Sequence, residues 1–288
     1  MRFAVVVPNF GDFADPRVLA DLAQRAEEAG WDGLFVWDHV THRKELRRQI
    51  ADPWVLLTAA ALATRRILLG TLVTPVARRR PSKLAREVTT LDRLTGGRMI
   101  LGVGLGSPVL DEFGSFGEPT DLKVLAARLD ESLTALDLLW SGEPVTFRGA
   151  HVIVDDVAFQ PTPVQRPRVP VWVAGEWPAK PPMRRAARWD GAVPLLVPAG
   201  GGPIRQPDAA TVREIHGFLT DCRIAIRRDG EPFDLVLWGA SPAGPAGADV
   251  VGPLAEAGAT WWAEALWEYP AAAGPVLSRT DQGPPRPS

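Results

Sequence analysis

An aspartate followed by a histidine at the end of a short apolar run, Trp37-Asp38-His39, is the pair best suited to moving protons. A histidine exchanges protons near neutral pH, and a neighbouring carboxylate can orient its ring. The plainer alternative is a histidine that only caps the following segment. A catalytic zinc takes three protein ligands. His42 is near enough to be a second ligand, but neither His151 nor His216 suggests a third, so no metal is expected. Neither a Gly-x-Ser-x-Gly elbow nor a P-loop occurs. The second suggestive stretch is Gly102-Val103-Gly104-Leu105-Gly106-Ser107. In a dinucleotide fingerprint the third glycine would stand where Ser107 does, and Pro108, Phe113–Gly117 and Pro119 make a loop instead of a helix. What remains is bare backbone amide, suited to a phosphate or a flat ring lying against the chain. Three glycines easing a tight turn are the equal alternative.

Alternating strands and helices must position these residues. Ile67–Thr71 reads as a buried strand and Pro81-Ser82 as a helix start. Leu84, Val88, Leu91 and Leu94 form one helical face, Gly96-Gly97 ends it, and Met99–Val103 is the next strand. Strands joined through one helix run parallel with a right-handed crossover. Phe3–Val7, Leu34–Trp37, Val169–Ala174, Ala192–Val197, Leu235–Trp238 and Ala259–Trp262 bring the strands to eight. Helices are expected at Pro16–Ala29, after Asp52-Pro53, and at Leu122–Trp140, Met183–Arg188, Asp208–Arg228 and Gly247–Ala257, with a brief last one within Pro270–Ser278. Trp31-Asp32-Gly33 is echoed by Trp189-Asp190-Gly191, a hint of one repeated unit. The fold predicted is a TIM-type (β/α)8 barrel. It is a single domain over residues 1–282, with an excursion at about 141–168 carrying a hairpin, and a loose tail at Gly283–Ser288.

Barrel enzymes work at the carboxyl ends of their strands. That rule nominates Asn9 and Phe10, Asp38 and His39, Thr71, Gly104–Ser107, Gly175–Trp177, Pro198, Gly239, and Trp262 with Glu264. Asn9, Phe10, Trp54, Trp177 and Trp262 are expected to line a substrate pocket at the mouth. Arg78–Arg80 reads as a solvated loop, or as a basic group reaching an anionic tail.

Gly70-Thr71, Thr74-Pro75, Arg78-Arg79-Arg80-Pro81, Leu84-Ala85-Arg86-Glu87, Thr90-Leu91-Asp92-Arg93-Leu94, Gly96-Gly97-Arg98 and Leu101–Gly106 follow one another in this order. Together they resemble the luciferase-like flavin-dependent oxidoreductases. The resemblance implies a redox enzyme acting on a small organic substrate, by hydride transfer or monooxygenation, with His39 as proton carrier oriented by Asp38. It implies a cofactor held at Thr71, Gly102, Gly104, Gly106, Ser107, Ala174, Gly175 and Glu176. The 8-hydroxy-5-deazaflavin coenzyme is favoured over FMN, with Arg78–Arg80 meeting its acidic tail. A separate reductase or dehydrogenase would supply the reduced cofactor. A homodimer is implied on the second and third helices, through Val55, Leu56, Ala59, Leu62 and Ala63. Two departures stand out. Deazaflavin-dependent sugar-phosphate dehydrogenases carry a glutamate where this chain has Ser107, which argues against that reaction. The loop from Thr71 to Pro81 reads one residue short, so the family's non-prolyl cis peptide is not assumed at Leu72-Val73. The rivals are a non-catalytic flavin-binding barrel and a metal-dependent barrel hydrolase.

Composition excludes other classes. The 288 residues are 46% hydrophobic with a net charge of −2, and the pI near 6.1 gives no electrostatic case for nucleic acid or anionic membrane. The single Cys222 excludes an intrachain disulfide and fits a reducing compartment. Met1–Val7 lacks a signal-peptide pattern, so a cytoplasmic location is expected.

Overall fold

Runs of aliphatic and aromatic residues too brief for a helix form the strands, and amphipathic stretches between them form the helices. The computed structural model describes residues 1–198, 204–265 and 272–286. Its strands are β1 (Arg2–Val7), β2 (Gly33–Val36), β3 (Leu68–Pro75), β4 (Met99–Gly104), β5 (Pro144–Arg148), β6 (Ile153–Ala158), β7 (Val171–Glu176), β8 (Gly191–Leu195), β9 (Asp234–Gly239) and β10 (Trp261–Glu264). The helices are α1 (Pro16–Glu28), α2 (Pro53–Ala63), α3 (Pro81–Thr95), α4 (Val109–Glu112), α5 (Leu122–Trp140), α6 (Lys180–Ala186), α7 (Ala209–Ala225), α8 (Pro245–Glu256) and α9 (Ala273–Asp281). Eight strands run parallel and close in the order β1-β10-β9-β8-β7-β4-β3-β2. This is the expected TIM-type barrel. β5 and β6 pair antiparallel outside it, inside the expected excursion. The last helix begins inside the expected Pro270–Ser278 window but runs past it to Asp281, and Pro270 and Ala271 lie outside the described residues.

The central unit folds as its pattern predicts, with Leu69 beside Met99 and Thr71 beside Leu101 in register. The register then shifts between Thr71 and Thr74, and the Leu72–Val73 peptide is cis, the feature that the short loop left unassumed. Asp52 caps α2 by accepting from the amides of Trp54 and Val55, with Pro53 in the first turn.

Strand alternation sorts side chains into two apolar layers. Inside the barrel lie Ala4, Val6, Phe35, Leu72, Ile100, Trp172, Ala174, Val193, Val236, Trp238, Trp261 and Ala263. Their neighbours face outward and pack against the helices, as Val5, Leu34, Leu69, Val173 and Trp262 do. The repeated tripeptide does one job twice. Asp32 accepts from the Phe3 amide and Asp190 from the Val171 amide. Each aspartate also passes its own carbonyl to the next strand, at Leu68 and Asp234.

Carboxylates fasten loops by gripping consecutive backbone amides. Glu27 accepts from Arg65, Arg66 and Ile67, and Glu131 from Ala150, His151 and Val152 in the excursion. Asp92 accepts from Val164 and Gln165. The tail differs from expectation. Over its described part it is held, because Arg286 donates to the Gly30 carbonyl and to Asp32 while its guanidinium covers Phe3. Pro287 and Ser288 lie outside the described residues. Among the described residues no helix is long and apolar enough to cross a membrane.

Candidate active site

β2 delivers Asp38 and His39 to the carboxyl end of the barrel, where Asn9, just past β1, clamps the histidine backbone. The Asn9 side-chain amide donates to the His39 carbonyl and to the Ala51 carbonyl, and its oxygen accepts from the His39 amide. Asn9 is therefore fully buried and holds the site together, where a pocket lining was expected. Asp38 also takes a different part from the one expected. Arg79 forms a two-pronged pair with its carboxylate, both contacts at 2.8 Å. Arg78 holds its carbonyl at 2.8 Å and its carboxylate at 3.2 Å. These two arginines neutralise a buried aspartate, so neither is free for an anionic tail, contrary to expectation; Arg80 stays exposed.

The carboxylate against His39 is Glu112 at the end of α4, whose Oε1 lies 3.2 Å from Nδ1. Glu112 is fully buried and also accepts from the amides of Val40, Thr41 and His42. Burial by itself would raise its pKa. The hydrogen bond and charge of His39, with the Val40 and His42 amides, outweigh burial and hold the carboxyl down at about 2. His42 stacks on Phe10 with ring centroids 4.9 Å apart and planes at 14°. Burial, reinforced by the charges of His39, Arg48 and Arg43, pushes its pKa down to about 4, while Glu112 pulls the other way.

The barrel mouth has two unlike sides. Trp37 and Trp238 stack at 6.1 Å with planes at 8°, and Trp37 meets the His39 ring edge-on at 5.6 Å. Across the interior the corresponding positions are Gly104 and Ala174. A Cβ on Gly104 would come within 2.9 Å of Val73 Cγ2 and 3.8 Å of Ala174 Cβ. The Trp238 indole N–H is buried without a hydrogen-bond partner among the described residues. The Val73 side chain thus already covers the Gly104 backbone, and two stacked indoles, this aliphatic face and an unused donor suit a flat heteroaromatic ring with polar edge atoms.

Other expected residues are placed elsewhere. Trp54 packs in the outer layer, with Arg79 over its ring. Trp177 lies edge-on to Phe218 under Lys180, and Trp262 faces outward and donates to Glu264. None of these three lines the mouth. Phe10 is fully buried beneath the His42 ring. Thr71 is buried and donates to the Gly102 carbonyl. A Cβ on Gly102 would fall 2.2 Å from the Thr71 oxygen, and one on Gly175 2.1 Å from Pro182 Cβ, so the protein's own packing requires both glycines. Gly106 turns with φ +88°, and Ser107 and Glu176 are exposed. Sequence reasoning missed Glu112, Trp37 and Trp238. Alternation along β9 could have found Trp238, which shares its face with Val236.

With that geometry in place, comparison with known proteins is informative. The profile described as luciferase-like monooxygenase matches residues 1–199. The F420-dependent glucose-6-phosphate dehydrogenase of Intrasporangium calvum is 36% identical over 166 residues, covering 57% of this chain and 49% of that protein. The F420-dependent hydroxymycolic acid dehydrogenase of Mycobacterium tuberculosis is 32% identical over 179 residues, covering 60% and 47%. The chain thus spans about half the length of the curated relatives it matches. Coenzyme F420 dependent tetrahydromethanopterin reductase from Methanopyrus kandleri superposes with a TM-score of 0.78 over 98% of this chain and 96% of that one, at 15% identity. The oxygenating constituent of 3,6-diketocamphane monooxygenase from Pseudomonas putida, in complex with FMN, gives 0.67 over 85% and 68%, at 18% identity. Both likenesses show the fold.

Proposed function

The chain belongs to the luciferase-like monooxygenase family, and from that premise we propose that it is an oxidoreductase using the deazaflavin coenzyme F420 on a small organic alcohol or its carbonyl counterpart. The observation that carries this reading is the His39 imidazole at the mouth. Its Nδ1 is engaged by a carboxylate, and its Nε2 has no hydrogen-bond partner among the described residues, beside the stacked Trp37 and Trp238 indoles. The curated relatives named above, both F420-dependent dehydrogenases, support the choice of coenzyme.

When bound, a deazaflavin supplies the hydride acceptor or donor. Everything else falls to the protein. The stacked indoles and the Val73 side chain over Gly104 would hold a flat ring, with the Trp238 N–H available to its polar edge. His39 Nε2 takes the hydroxyl proton when an alcohol is oxidised and returns one when a carbonyl is reduced. FMN is the second reading, favoured by the FMN complex of the Pseudomonas putida neighbour, and it would make the protein an oxygen-using monooxygenase. A separate reductase or dehydrogenase supplying reduced coenzyme, a cytoplasmic location and self-association through α2 complete the proposal. Val55 and Leu62 on α2 are 61% and 72% exposed, more apolar surface than a solvated helix needs.

The test is to titrate the protein with each coenzyme and follow fluorescence, then assay turnover of alcohols. We expect F420 to bind and His39→Ala to lower turnover about a hundredfold while melting stays within a few degrees of wild type. Tight FMN binding with no affinity for F420 would reverse the coenzyme assignment. Binding without turnover of any alcohol or carbonyl would leave a non-catalytic flavin-binding barrel.

A further inference from the structure

We propose that Glu112 is the positioning residue of this site, fixing which nitrogen of His39 carries the proton and holding the loop that presents the ring. The inference rests on the reading of His39 as proton carrier. It begins from a division of labour between two carboxylates. Asp38, next to His39 in sequence, is consumed by Arg78 and Arg79. Glu112, 73 residues away in sequence, meets the ring.

The geometry dictates the tautomer. An ionised carboxylate only accepts hydrogen bonds, so the nitrogen facing it must carry a hydrogen. Oε1 of Glu112 faces His39 Nδ1 at 3.2 Å, which makes Nδ1 the donor in the neutral ring and leaves the lone pair on Nε2. The other groups around the ring do not compete for Nδ1. Phe10 and Trp37 contribute ring faces and edges. His42 stands 4.3 Å away, centroid to centroid, with its own ring stacked on Phe10. Arg78 approaches the far oxygen of Glu112, at 3.6 Å. The same carboxylate grips the amides of Val40, Thr41 and His42, so the loop after His39 cannot drift without breaking the contact to the ring.

The arrangement serves the reaction in both directions. In alcohol oxidation the substrate C–H bond breaks and its electron pair leaves as hydride to oxidised deazaflavin. The O–H proton passes to Nε2 as the carbonyl forms. The resulting imidazolium keeps Glu112 as its counter-charge, and carbonyl reduction runs the same transfers backwards. Glu112 touches neither substrate nor coenzyme.

Nitrogen-15 NMR of the protein without coenzyme reads the tautomer directly. Wild-type His39 is expected as the Nδ1–H form near pH 8. Glu112→Leu removes the acceptor facing Nδ1, which a glutamine would retain because the Thr41 and His42 amides hold an oxygen at that position, and should release His39 to the Nε2–H form. With coenzyme added, it should cut kcat for alcohol oxidation about a hundredfold with KM for the coenzyme within about twofold of wild type. Glu112→Asp keeps the charge on a shorter stem and should restore the Nδ1–H form and part of kcat. Wild-type His39 in the Nε2–H form would overturn the proposal, even if the leucine variant fails to fold. So would a folded Glu112→Leu protein with tautomer and kcat unchanged. If His39→Ala retains full turnover while the tautomer behaves as described, the proton-carrier reading falls and the positioning contact stands.

Discussion

His42 should make the mouth of the barrel acid-sensitive well before its carboxylates titrate. The ring lies flat on buried Phe10, its Nδ1 has no partner among the described residues, and cationic groups surround it. Its pKa is about 4 in the folded protein against 6.5 for the free side chain. Below 6.5 the unfolded chain therefore binds a proton that the folded chain refuses. The stabilisation is complete above pH 6.5 and is lost as pH falls toward 4. One pKa unit is worth about 1.4 kcal/mol, so the full shift would cost about 3 kcal/mol by pH 4, and solvent around the half-buried ring screens this to about 1–2 kcal/mol. For a chain of this size that lowers the melting temperature by roughly 2–3 °C. The perturbation is His42→Phe, which keeps an aromatic partner for Phe10 and removes the titration. Urea unfolding of both proteins at half-unit intervals from pH 7.5 to 4 isolates the effect, because other titrating groups cancel in the difference. Relative to its own value at pH 7.5, wild type should lose about 1–2 kcal/mol more than the variant. Parallel stability curves for the two proteins would refute the reasoning.

Asp38→Asn removes the nearest counter-charge of two half-buried guanidiniums, which keep Glu112, Asp52 and Glu87 at 3.6–3.8 Å, and should cost about 3 kcal/mol in urea unfolding. A loss below about 1 kcal/mol would show that solvent screens the pair. Leu62→Glu on α2 should convert a dimer to a monomer by light scattering without changing melting. A monomeric wild type at micromolar concentration would remove the dimer from the proposal.

The barrel was legible because its signals are local. α5 spans the expected Leu122–Trp140, and the paired Trp-Asp-Gly segments make equivalent contacts. The site was legible only as far as backbone position went. His39 stands at the strand's mouth as expected, but its carboxylate partner comes from a four-residue helix inside what read as a loop. No local pattern separates Glu112 from its neighbour Asp111. The tryptophans failed for a different reason. Trp261 and Trp262 are equally apolar, so composition cannot say which faces inward; only the alternation of the finished barrel puts Trp261 inside and Trp262 outside. Arg78 and Arg79 read as solvated because a charge run usually is, and the buried Asp38 that claims them is visible only in three dimensions.

Carboxylates that grip consecutive amides also set how this protein can diverge. Glu27, Glu112 and Glu131 each read three N–H groups in a row and Asp92 reads two, all without touching a side chain through those bonds. Exposed gripped positions such as Arg65, Arg66, Ala150 and His151 can therefore exchange side chains while the loop keeps its path, provided each keeps its hydrogen. Proline, which has none, is the one residue excluded at every gripped position. The shape of each loop is thus inherited from a single acidic residue elsewhere in the chain, and the loop's own letters are left open for new specificities.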